Sequence, residues 1–167
     1  MSTEAKAGVT AQVFEIYIKA SAERIWEAIT TPEWNAKYGY RAPQKFELRP
    51  GGRYSAHPSP EMQAMGLPET MIDGEVIECV PHRRLVQTYR WLFSEGNKAE
   101  GFTRVTWELE TNSSGFTRLT VIHDELEGAP MMAAGIKSKF NEHGGGGWNW
   151  ILSDLKTLLE TGKTLGE

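Results

Sequence analysis

The stretch His143–Gly162, HGGGGWNWILSDLKTLLETG, decides the fold. Trp148, Ile151, Leu152, Leu155, Leu158 and Leu159 recur at helical spacing and form one apolar stripe. Asn149, Ser153, Asp154, Lys156 and Thr157 fall on the other side. Gly162 suits the C-terminal stop of a helix, and Lys163 suits the negative end of its dipole. A helix this one-sided must lie on something apolar. Ahead of it, Gly144, Gly145, Gly146 and Gly147 carry no side chains. They fit a flexible entry, a loose linker, or a place where another backbone or a ligand comes close. Trp150 falls about 200° around the helix from Trp148, in the polar face. It is a candidate subunit contact, the alternative being that it packs under a neighbouring loop.

The rest of the chain supplies the surface for that helix. Residues 12–20 alternate, with Phe14, Ile16 and Ile18 on one face of a strand. Ser21 caps a helix in which Ala22, Ile25, Trp26 and Ile29 share a side. Thr31-Pro32-Glu33 starts a second short helix, with Thr as cap and Pro at the first position, followed by Trp34, Tyr38 and Tyr40. Strands over residues 44–49 and 53–57 flank the turn Pro50-Gly51-Gly52. Residues 57–70, with Pro58, Pro60 and Pro68, read as a long functional or mobile loop bearing Met62, Met65 and Leu67. Further strands are expected over 71–80, 84–91, 102–110 and 116–125, the last two joined by the hairpin turn Asn112–Gly115. After the break at Gly128-Ala129-Pro130, residues 131–140 are ambiguous, a short helix being one reading.

The expected fold class is α+β. A curved antiparallel sheet of six or seven strands grips a long C-terminal helix, with two short helices after the first strand. Residues 11–162 form one domain, with a disordered tail over 1–10 and a short C-terminal tail over 163–167. One helix across the concave side need not fill it, so a cavity is expected with its mouth at residues 57–70 and 128–142.

The 167 residues suffice for a sizeable core, and 40% hydrophobic with 24% charged content fits a globular protein. Net charge is −4 with no basic patch, which speaks against a nucleic-acid partner. No apolar run approaches the ~20 residues of a membrane span. The opening MSTEAKAGV lacks the apolar core of a signal peptide, and the lone Cys79 fits a reducing compartment, so a cytoplasmic location is expected.

For chemistry, His123 is the candidate catalytic residue. It shares a strand face with Leu119 and Val121 and should point toward the cavity, as a ligand partner or general base. The alternative is a buried histidine tied to a backbone group. Asp124 points away from it, and Glu75 and Glu78 fall on opposite faces of one strand. Arg53, Arg90 and Arg104 default to the surface. His57, His82, His123 and His143 show no metal spacing, and no phosphate-loop, dinucleotide or nucleophile-elbow motif is present, so neither metal nor cofactor is expected. The candidate ligand-binding wall is Trp34, Tyr38, Phe46, Tyr54, Tyr89, Trp91, Trp107, His123 and Trp148, with Ile151 and Leu152 from the helix.

These pieces, in order, also resemble a known family. Residues 22–32 (AERIWEAITTP), 50–54 (PGGRY), 74–85 (GEVIECVPHRRL), 103–109 (TRVTWEL), 117–123 (TRLTVIH) and Gly147-Trp148 before a Leu-rich helix resemble the START-like, or SRPBCC, superfamily. Within it they are most similar to the C-terminal domain of activator of heat-shock protein 90 ATPase. The resemblance implies the helix-grip (START/Bet v 1-like) fold. It also implies a cavity for a lipid, polyketide-like or aromatic molecule, and so the binding of a small hydrophobic ligand. Two alternatives stay open. One is an enzyme of cyclase, dehydratase or hydrolase type with His123 as base and a Tyr hydroxyl as acid. The other is a chaperone-associated interaction module. A homodimer through Trp150 is a further expectation.

Overall fold

Seven antiparallel strands grip the C-terminal helix in the computed structural model, which describes residues 10–142 and 144–167. The expected disordered tail and His143 therefore lie outside the described residues, apart from Thr10. Strands β1 (Ala11–Ile18), β2 (Gln44–Phe46), β3 (Arg53–Ala56), β4 (Ile72–Val80), β5 (Arg84–Trp91), β6 (Thr103–Thr111) and β7 (Thr117–Asp124) run in the order β1-β7-β6-β5-β4-β3-β2. Helices α1 (Ala22–Thr30) and α2 (Pro32–Asn35) follow the first strand, and α6 (Gly147–Thr161) closes the fold. This is the α+β helix-grip arrangement.

Register explains why one sheet face is apolar. Val105 pairs with His123, Trp107 with Val121 and with Leu85, and Gln87 with Val105. Paired residues share a face, so these side chains all turn inward. The outer face carries cross-strand ion pairs: Arg104 with Asp124, Arg84 with Glu108, Arg118 with Glu110, and Arg90 with Asp73. Exposed pairs of this kind contribute little each, but they keep the outer face wetted.

The first helix begins as its sequence dictates, with the Ser21 hydroxyl accepting from the Arg24 amide. Thr31 does not cap α2, because its hydroxyl donates back to the Glu27 carbonyl and closes α1. The second strand stops at Phe46 rather than running to Arg49, since the Arg49 amide bonds to the Glu47 carbonyl and turns the chain. Residues 57–70 are not an open loop throughout. Helix α3 (Pro60–Ala64) forms there, with the Ser59 hydroxyl accepting from Met62.

Helix α4 (Glu95–Glu100) was not legible in the sequence. Its last residue has a role, because the Glu100 carboxylate accepts from the amides of Met131 and Met132. That satisfies the first turn of α5 (Pro130–Gly135), at the start of the stretch 131–140 for which a short helix was one reading. The glycine run is no linker. Gly144–Gly146 is a strand, β9, paired with β8 (Lys139–Asn141). Trp150, a candidate subunit contact or a residue packed under a neighbouring loop, is half-buried. A Cβ built on Gly144 or Gly145 would lie 3.2–3.3 Å from its ring, so the indole rests on bare backbone.

On α6 the apolar stripe is buried as read: Trp148, Leu152, Leu155 and Leu159 reach the core. Asp154 departs from the expected polar side and is only 3% exposed. One carboxylate oxygen accepts from the Gly39 amide at 2.8 Å and the other from the Leu165 amide at 2.7 Å. The residues after Gly162 are therefore folded back on the helix, with Thr164 buried.

Candidate functional site

A cavity of about 340 Å³ lies between α6 and the inner sheet face. Alternation along β5 turns Leu85, Gln87, Tyr89 and Trp91 to the same side. The last three line the cavity with Tyr54 from β3 and Trp107 from β6. Trp148 and Ile151 close it from the helix, and Tyr38 from the segment after α2. Met62 and Leu67 from residues 57–70, and Gly135 and Ile136 from the α5 end, also border it, at the two places where a mouth was expected.

The aromatic rings brace one another. Tyr54 stacks on Tyr89 at 6.0 Å between centroids, and Trp107 meets Trp148 edge-on at 5.3 Å. Such pairs add about 0.5–1.5 kcal/mol each beyond what their burial contributes.

Most polar groups in the wall are satisfied internally. The Tyr38 hydroxyl donates to the Ala28 carbonyl, and the Tyr54 hydroxyl donates to Gln44 Oε1 at 2.6 Å. Asn35 Nδ2 donates to the carbonyls of Ala28 and Ile29, while its oxygen accepts from the Gln44 amide. Burial raises the pKa of the Tyr38, Tyr54 and Tyr89 hydroxyls, so all three stay neutral.

Gln87 holds a fully buried exception. Its Oε1 accepts from Trp107 Nε1 at 3.1 Å, but its Nε2 is buried without a hydrogen-bond partner among the described residues. The Tyr54 hydroxyl is near enough for Gln87 to favour its ionised form slightly, a minor effect beside burial. No hydrogen bond of normal geometry joins the two. Arg41 is the charged residue of the lining; it is exposed, and its guanidinium reaches Thr164 Oγ1 at 3.5 Å.

His123 faces inward but does not line the cavity. Trp148 Nε1 donates to its Nδ1 at 3.0 Å, and its Nε2 lies 2.7 Å from the Thr103 hydroxyl. Trp148 is a donor only, so Nδ1 is unprotonated and the ring proton sits on Nε2. The Thr103 hydroxyl accepts that proton and donates in turn to the Tyr89 carbonyl. Tyr89 meets the imidazole edge-on at 5.2 Å and, with Trp148, stands beside it. Burial pushes the His123 pKa down to about 4, with the Asp124 carboxylate offsetting part of this. The expectation of a cavity-facing histidine is corrected: it is tied, as the alternative reading held, though to side chains rather than to backbone.

Of the other candidate wall residues, Tyr38, Tyr54, Tyr89, Trp91, Trp107, Trp148 and Ile151 border the cavity, and Trp34, Phe46 and Leu152 do not. Trp34 lies on α2 with the Lys37 ammonium 4.4 Å from its ring. Phe46 packs on Tyr54 at 4.7 Å, at the sheet edge, and Leu152 is buried in the core beneath α6. Sequence reasoning missed Gln87, Gln44 and Asn35. For Gln87 the signal was present: a lone amide between Leu85 and Tyr89 on an apolar face.

Among the described residues, no three His, Cys, Asp or Glu side chains gather as metal ligands, and no helix is long and apolar enough to cross a membrane.

A comparison with curated proteins finds no match. Among solved structures, the chain is similar to the MLL2253 protein of Mesorhizobium loti, with 19% identity over 90% of this chain and 96% of that one, at a TM-score of 0.64. It is similar to the Aha1 dimer of Colwellia psychrerythraea, with 22% identity over 93% of this chain and 99% of that one, at 0.63. A heat-shock protein 90 activator of Plasmodium falciparum shares 17% identity over 95% of this chain and 92% of that one, at 0.55. These likenesses carry the fold. The model of the family described as Activator of Hsp90 ATPase homolog 1-like protein matches residues 19–160, and the chain belongs to that family.

Proposed function

We propose that this protein binds a small hydrophobic molecule, lipid, polyketide-like or aromatic, in the cavity between α6 and the sheet. The observation that supports the reading is the cavity itself, about 340 Å³ walled by aromatic side chains with few polar groups. Sites for small molecules run from roughly 300 to 1,000 Å³ and have this character. Protein interiors otherwise close on voids, because unfilled apolar space costs dispersion contacts. Tyr38, Tyr54, Tyr89, Trp91, Trp107, Trp148 and Ile151 supply the contacts.

Binding is favoured over turnover because His123, on the inner face, has both ring nitrogens engaged. The reading includes a cytoplasmic location, in keeping with the single Cys79. It also includes self-association, which the dimeric Colwellia protein of the same fold supports. Trp150→Ser is then expected to elute with the parent on gel filtration, because its ring is seated on Gly144 and Gly145 within the chain.

Native mass spectrometry of protein purified from cells, paired with titration of a hydrophobic fluorescent dye, tests the central reading. A co-purified small molecule or a saturable dye site is expected. Neither being found refutes it.

A further inference from the structure

We infer that the cavity selects ligands bearing a neutral carbonyl oxygen, which accepts from Nε2 of Gln87. This rests on the reading of the cavity as a ligand site. Gln87 is 1% exposed and borders the cavity. Its amide orientation is fixed by chemistry: an indole N–H only donates, so the amide oxygen must face Trp107 Nε1 and the –NH₂ must face elsewhere. Among the described residues that –NH₂ finds no hydrogen-bond partner of normal geometry. A buried donor left unmatched is unfavourable, and nearly all such groups in folded proteins are paired with protein, water or ligand.

Three other wall residues spend their donors within the protein. Tyr38, Tyr54 and Asn35 give their hydrogens to Ala28, Gln44 and the end of α1. Gln87 therefore brings a fully buried, unmatched donor to a largely apolar chamber. Charge decides which acceptor. Among the described residues the lining holds no cation at depth, since Arg41 is exposed. A carboxylate beside Gln87 would lose its hydration with no countercharge, whereas a ketone, ester or amide carbonyl loses far less.

The test compares two ligands of one shape, 2-acetylnaphthalene and 2-isopropylnaphthalene, by quenching of tryptophan fluorescence. The hydrocarbon gains more on leaving water, so a cavity without a placed donor prefers it. The parent protein is expected to bind the ketone about tenfold more tightly or better. Gln87→Met, close in shape but without the amide, is expected to lose that preference. Trp107→Phe releases the amide to rotate and is expected to weaken it, which serves if Gln87→Met does not fold by circular dichroism. Equal or tighter binding of the hydrocarbon by the parent overturns the proposal and leaves the binding reading standing. So does a ketone preference that survives in Gln87→Met. Saturable binding of neither compound overturns both.

Discussion

The indole N–H of Trp148 on α6 donates to Nδ1 of His123 on β7 across 3.0 Å. The bond joins the gripping helix to the sheet and works only while the imidazole is neutral. A second ring proton would point at the indole hydrogen.

Stability should therefore fall in mild acid. The folded-state pKa of His123 is lowered from 6.5 to about 4. Between those values the unfolded chain binds more protons than the folded one. The contribution of neutral His123 is complete above pH 6.5 and is lost as pH falls toward about 4, by about 3 kcal/mol in all. Urea unfolding at pH 7.5 and pH 4.5 checks this. In His123→Leu the slope over that interval should flatten. That variant should also be weaker by about 1–3 kcal/mol at pH 7.5, because it strands the Trp148 donor and removes the hydrogen bond that the Thr103 oxygen accepts.

Asp154 should anchor the C-terminal residues and the Tyr38–Arg41 turn together, through Leu165 and Gly39. Asp154→Ala is expected to lose about 2–4 kcal/mol, with Asp154→Asn between it and the parent because one amide oxygen can still accept. Thermal unfolding of the three proteins orders them. Asp154→Ala melting with the parent would contradict the assignment.

Gly147 and Gly162 bound α6 with similar positive φ, 72° and 83°, but differ in surroundings. A Cβ at Gly147 would lie 2.3 Å from the Ile136 carbonyl oxygen, whereas none of the described residues comes within 4 Å of one at Gly162. Gly162→Ala should cost about 1–2 kcal/mol, the left-handed penalty alone. Gly147→Ala adds a backbone clash and should cost at least about 3 kcal/mol. Denaturant midpoints of both variants separate the two terms.

What could be read from the sequence follows from periodicity. The Trp148–Leu159 stripe and the alternation of β5, β6 and β7 each carry enough apolar residues to settle element and face. Short elements without such a pattern were missed: α4 has no buried residue, and β8 and β9 are held by backbone pairing to glycine. Partnerships between distant side chains were equally invisible. Nothing near Asp154 in the sequence announces Gly39, and nothing near His123 announces Trp148. Each needed the register of the folded sheet and helix. Phe46 and Trp34 were placed in the wall by residue type, yet their elements set them at the sheet edge and on α2.

Occupancy can be separated from stability at Ile151, which borders the cavity from α6. Ile151→Trp should fill part of the space. Overpacking is expected to cost about 1–3 kcal/mol of stability, while dye affinity should fall by more than tenfold. Dye titration beside thermal unfolding measures both, and unchanged affinity would place the dye elsewhere.

The most direct measurement is a ¹H–¹⁵N spectrum of the indole N–H signals during titration with 2-acetylnaphthalene. Trp107 and Trp148 border the cavity, while Trp26 packs away from it against His82. The account predicts that the Trp107 and Trp148 signals shift to saturation and that of Trp26 stays. Unmoved Trp107 and Trp148 signals at the ligand's solubility limit would contradict it.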